Sequence, residues 1–291
     1  MNKLANLMDR DKRALEKLGV PAATNVGQVM AMRLKLACED NPTPEKISAI
    51  VREYMAHMEP ILLDAMVAGN LAGRARIMRL ASKAIAKKKY HLGAFDSAIK
   101  VFQAFLGTAR TAVQSLTKGF ALKAAKVTKS AADMVEKKAR KAIEESIRLG
   151  EHVKDAQERL KDALDEAGVD EASPFLCETI CRTTIAASYS AGAQAALADP
   201  DIAEFHDGFQ YATVGDDRVS DICQEFDGFI GPKTNEFWQT HTPPLHYNCR
   251  CSLIPLFSEF EPNIPETYGD AAEGDNPVTG LPWGEQPDSD E

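Results

Sequence analysis

Four side chains late in the chain could do chemistry together: Cys223, His246, Cys249 and Cys251. The first lies in DDRVSDICQEFDG, which begins at Asp216, and the others in TPPLHYNCRC, which begins at Thr242. Thiolates and imidazole are the donors that zinc prefers, and four of them complete a tetrahedral shell. Residues two apart in an extended chain face the same side, so Cys249 and Cys251 can grip one ion while Arg250 points away. His246 needs a tight turn to join them, and Pro243-Pro244 stiffens the approach. Cys223 must come from a separate segment, so the ion would staple two distant stretches. A closed shell leaves no position for water, which makes such a metal structural rather than catalytic. The same residues also permit buried reduced thiols, or a disulfide from Cys223 to Cys249 or Cys251. A chain of 291 residues with six cysteines, and no export signal in its charge-alternating first twenty, points to a reducing compartment. That puts the disulfide last of the three.

The run Asp217-Arg218-Val219-Ser220-Asp221-Ile222-Cys223, then Asp227-Gly228, then Pro243 to Cys251, resembles the signature of phage head morphogenesis proteins. These are the Mu-F-like minor head proteins of tailed bacteriophages. Ile180-Cys181-Arg182-Thr183 and Tyr189-Ser190-Ala191-Gly192 are similar to the helix that precedes that signature. The resemblance implies a structural assembly protein, incorporated in the procapsid near the portal, with roles in DNA packaging or ejection. Its partners would be portal and capsid or scaffold proteins and packaged DNA. Its place would be the virion, after assembly in the host cytoplasm. Two departures stand out. Ser220 occupies a position where the family often has the first cysteine of a C-x-x-C, and Thr184 one where an acidic residue often follows Arg-Thr.

The elements that must position these residues are read from pattern. The expected fold class is α+β: a mainly helical body over 1–200, a small metal-stapled antiparallel β module over 201–257, and an acidic tail over 258–291. Helices are expected from Leu4 to about Gly19, with Pro21 beyond, and from Val26 to Glu39. Another starts at Thr43-Pro44 and meets Pro60, which should kink or restart it. Met55, Met58 and Met66 read as core packing. Apolar residues at steps of three and four from Phe102 to Val135 predict a long helix or two. A helix over Glu151–Ala167 and a small-residue helix from Phe175 to Leu197 follow, the latter carrying Cys177 and Cys181 as core residues. Strands are expected at Phe209–Val214 and Cys251–Leu256, with a turn at Asp227-Gly228 and Phe229-Ile230 after it. The tail holds ten acidic residues and no basic one, and is expected to be extended or disordered, Leu281 and Trp283 excepted.

Charge is divided. Between Arg74 and Arg148 the chain carries eighteen Lys and Arg against five Asp and Glu, although its net charge is −9. Such a face can neutralise phosphates without reading bases, and Lys87, Lys88, Lys89, Lys123, Lys126, Lys137, Lys138, Arg140 and Lys141 are the candidates. The bland alternative is a solvated helix face. Asp216, Asp217, Asp221, Glu225, Asp227 and His241 crowd the thiol segment, and a metal-dependent nuclease or hydrolase would use them. No zinc-protease, deaminase, P-loop or nucleophile-elbow motif accompanies them, so turn and cap roles are the better reading. No stretch is apolar enough to span a membrane.

Overall fold

The computed structural model describes residues 3–39, 43–88, 124–129, 131–146, 148–149, 151, 153–166, 173–276 and 281–285. The chain is mostly helical with one small antiparallel sheet. In order it forms α1 (Lys3–Glu39), α2 (Pro44–Lys88) and α3 (residues 124–129 and 131–146). Then come α4 (Val153–Glu166), α5 (Ser173–Leu197), α6 (Pro200–Ala203), β1 (Gly208–Ala212), α7 (Asp221–Glu225), β2 (Ile230–Pro232), α8 (Phe237–Thr240) and β3 (Ser252–Leu256). Most of the helix expected between Phe102 and Val135 lies outside the described residues. No described helix is long and apolar enough to cross a membrane. Two compact units result, and they cut α1, α2 and α5 rather than following the change of pattern at residue 200.

The first unit takes residues 16–64 and the described part of 121–182. Its core is drawn at helical spacing from Met30 and Leu34 of α1, Met55, Met58 and Leu62 of α2, Val135 of α3 and Leu160 of α4, all buried. Thr43 opens α2 as expected, its hydroxyl accepting from the Lys46 amide at 3.2 Å. Two expectations are corrected. The break near Gly19–Pro21 and the restart at Pro60 do not occur: α1 and α2 each run through their proline. An interior proline costs about 3 kcal/mol. Several wholly buried side chains on the same helices, each contributing roughly 1.5–3 kcal/mol, outweigh it. Gly19 serves packing rather than termination, since a Cβ there would lie 3.0 Å from the Cys181 sulfur.

The second unit takes residues 3–15, 65–88 and the described chain from 183 onward. Here α2 and α5 cross so closely that only glycine fits: a Cβ on Gly73 would stand 2.0 Å from the Tyr189 carbonyl. The sheet has the order β2-β1-β3, all antiparallel, with Phe209 opposite Gly231 on one side and Pro255 on the other. β1 is therefore central, and its residues are almost all buried. Gly228 turns the chain into β2 at φ +89°. Against the sheet pack Phe226, Phe229, Phe237 and Trp238, mostly edge-to-face, with Phe226 and Phe237 centred 5.4 Å apart.

The described part of the acidic tail, residues 258–276 and 281–285, carries no named helix or strand, yet it is not short of things to bury. Asn263 donates to the Gly228 carbonyl at 3.1 Å, and Ile264 and Tyr268 pack on the aromatic core. Trp283 is 4% exposed, and the Thr242 amide donates to the Gly284 carbonyl at 3.0 Å. Few apolar residues suffice, because each lands in a gap left by short strands.

Candidate metal centre

Local structure brings three of the four predicted donors to one point. Ser220 caps α7, its hydroxyl accepting from the Cys223 amide at 3.3 Å, which sets Cys223 in the first turn facing inward. On the other segment, the Cys249 amide donates to the His246 carbonyl at 3.3 Å, closing the tight turn the sequence requires. Asn248 takes the left-handed conformation within it, at φ 59°, which its short polar side chain tolerates. Cys249 and Cys251 precede β3, and Arg250 between them turns away to a bidentate pair with Asp216, 2.8 Å for Nη1.

The sulfurs of Cys223, Cys249 and Cys251 lie within 4.8 Å of one another, and all three residues are buried. Cys223 and Cys249 sulfurs are 3.8 Å apart, and neither is in a disulfide. His246 stands at the edge of this trio, its Nε2 3.2 Å from the Cys223 sulfur and 2.8 Å from the Ser220 hydroxyl. Its Nδ1 faces the Tyr247 carbonyl at 2.7 Å. A carbonyl can only accept, so Nδ1 carries the proton and Nε2 is the nitrogen turned toward the sulfurs. Metal-binding histidines are oriented in this way.

The electrostatics agree with a cation site. Burial pulls His246 down, but its contacts with Cys223 and Cys249 outweigh that and raise it to about 11. Hydrogen bonds from Cys223 and Cys251, with help from His246, hold Cys249 well below the usual thiol range, while Cys251 is pushed up. The sulfurs therefore retain positive charge at Nε2 as a proton, and metal binding characteristically exchanges such protons for an ion. Tyr211, wholly buried and driven up by burial and the nearby thiols, donates its hydroxyl to the Cys223 sulfur at 3.3 Å. The three clustered thiols are donors that fit a soft or borderline divalent metal, with the imidazole beside Cys223 at their edge.

The other singled-out residues are engaged differently. His241 is buried, stacked on Phe237 at 4.4 Å, with Nε2 at 2.9 Å from the Gly269 carbonyl and Nδ1 at 2.8 Å from the Thr240 hydroxyl. Both ring nitrogens serve the fold. Asp227 accepts from the Thr213 amide and Glu225 from the Gly269 amide, each at 2.7 Å. Arg182 pairs with Glu178 at 2.6 Å and with Glu16. Cys177 and Cys181 are buried on α5, and burial raises both thiols to about 12, as inert core residues should be.

Of the basic candidates, Lys89, Lys123 and the side chains of Lys87 and Lys88 lie outside the described residues. Lys126, Lys137, Arg140 and Lys141 are exposed and Lys138 half-buried. Lys138 and Lys141 border a cleft of about 380 Å³ that also contains Arg159, Glu145 and Asp162. Arg140 pairs with Glu136, and Arg148 with Glu145.

A helical chain whose later part closes around a thiol–imidazole centre is the class these observations define. Residues 137–254, about two fifths of the chain, match the family model described as Phage Mu protein F like protein. The segment holding the centre is therefore similar to Phage Mu protein F like protein. No curated protein and no solved structure matches the chain.

Sequence reasoning passed over Lys12 and gave Tyr211 and Thr183 no part at the centre, although the Thr183 hydroxyl accepts from the Asn248 amide at 3.1 Å. Tyr211 stood in the alternating pattern of its strand, which marks it as buried but not as facing sulfur. Ser220 was visible as the departure from C-x-x-C, and it remains beside the centre.

Proposed function

We propose that the protein is a minor head protein of a bacteriophage, incorporated in the procapsid near the portal and acting in assembly, with effects on DNA packaging or ejection. The match of residues 137–254 carries this reading. In it the thiol centre is architectural: Cys223, Cys249, Cys251 and His246 would hold zinc, which supplies a crosslink between α7 and the turn before β3. The protein itself is proposed to be non-catalytic. His241 Nε2 and one oxygen each of Asp227 and Glu225 are engaged with backbone groups, and His241 Nδ1 with the Thr240 hydroxyl, which supports that reading.

The test is co-expression with the portal, scaffold and capsid proteins of the same genome, followed by mass spectrometry of sedimented procapsids. Incorporation at a fixed ratio to portal is expected. Procapsids that form normally and exclude the chain would overturn the proposal.

A further inference from the structure

Lys12 lies on α1, far from the thiol segments in sequence, yet its ammonium is at their backbone. It donates to the Cys251 carbonyl at 2.7 Å, the Arg250 carbonyl at 3.2 Å and the Ser252 hydroxyl at 3.0 Å. The residue is 4% exposed, and the ammonium lies 5.6 Å from the centroid of the Tyr189 ring. Burying an ammonium is costly unless acceptors replace its water, and here three acceptors meet three protons. Two of them are the successive carbonyls of the C-x-C segment itself. The cavity beside it, about 10 Å³ and lined by Ser190, Gln194 and Ser252, has room for a water at most. The charge is thus directed at the chain and not at an external anion.

We infer that Lys12 is a positioning residue for the metal centre, an inference that rests on the metal reading above. By fixing the peptide planes on either side of Cys251, it holds the spacing that turns Cys249 and Cys251 toward one point. It also supplies a buried positive charge beside the donors. Three thiolates, one neutral imidazole and one divalent ion sum to a net negative centre, which that charge offsets. The coupling is reciprocal: an ion at the centre also stabilises the start of α1 against the β module.

The experiment compares the full-length chain with Lys12→Met and Lys12→Arg. Zinc affinity is measured by competition with a chromophoric chelator, and the cobalt(II) form by its visible spectrum. Lys12→Met is expected to bind zinc roughly 10–100-fold more weakly, as loss of outer partners does at other sites, and to shift the cobalt bands. Lys12→Arg should recover most of both. Should Lys12→Met not fold, Ser252→Ala removes one acceptor only and is expected to weaken zinc a few-fold. Unchanged affinity and spectrum in the folded variants would overturn the role of Lys12 while leaving the metal site standing. A wild-type chain that takes up neither metal would overturn both.

Discussion

The two units are built on opposite principles. The helical unit has long amphipathic helices whose apolar stripes close a core by repetition, and ion pairs such as Arg140–Glu136 lie toward its surface. The β-containing unit has strands of three to five residues and helices of four or five after α5. Elements this short cannot bury enough to hold themselves, so specific ties replace repetition: a thiol centre, an aromatic cluster, a strap of tail, a buried lysine. A chain of this kind should therefore fail piecewise. Both tryptophans, Trp238 and Trp283, are in the β-containing unit, so fluorescence follows that unit while far-UV circular dichroism follows mainly the helices.

The largest separation of the two should come from the thiol centre. If the centre holds a metal as proposed, removing it with a chelator, or Cys249→Ser, removes a crosslink of a kind worth on the order of 10 kcal/mol in structural zinc domains. Tryptophan emission should shift to that of an exposed indole, and amides from about Gly215 onward should lose exchange protection. The helical signal should mostly persist. Simultaneous loss of both signals would show that the units are not separable.

Core truncations sharpen the contrast from either side. Phe237 touches Phe226, Trp238, His241 and Tyr268, and Phe237→Ala should cost about 3–5 kcal/mol, read by fluorescence. Met58 is wholly buried in the helical unit, and Met58→Ala should cost about 2–5 kcal/mol, read by circular dichroism. Each should leave the other probe's midpoint nearly in place.

What could be read in advance divides along the same line. Periodicity revealed the helices, because a stripe repeated over ten turns is a local property. It failed at Gly19, Pro21 and Pro60, where tertiary burial overrode local stop signals. The three clustered thiols were legible from residue type and spacing, and Arg250 from its place between two cysteines. Lys12 was not, since 239 positions separate it from Cys251 and nothing local marks an internal lysine as buried. The tail misled for a related reason. Composition counts its acids and singles out Trp283, but not Ile264 and Tyr268, which the body has places for.

Acid should act on the β-containing unit through His206. Burial, the largest influence, lowers this residue to about 4, and Nε2 lies 2.9 Å from the Gly208 carbonyl. The folded value lies below the unfolded one of about 6.5, so the fold prefers the neutral ring. Its contribution, about 3 kcal/mol, is complete above pH 6.5 and is lost as the pH falls through about 4. Urea midpoints by fluorescence at pH 7 and pH 4.5 should fall more in the wild type than in His206→Gln. Equal slopes would show that the ring accepts a proton without strain.

The smallest effect should come from the most visible contacts of the helical unit. Arg52 reaches Glu136 at 2.5 Å and Asp133 at 3.5 Å, which in a drawing looks like a clasp between α2 and α3. Yet the Arg52 side chain is 55% exposed, so water and salt screen the pair and ordering two long side chains offsets the remainder. Arg52→Ala should leave the circular-dichroism midpoint unchanged within error, at low and at high salt. A clear loss that salt abolishes would mean that charge, and not the apolar stripe, holds α3 in place. The helical unit would then depend on specific ties as the β-containing unit does.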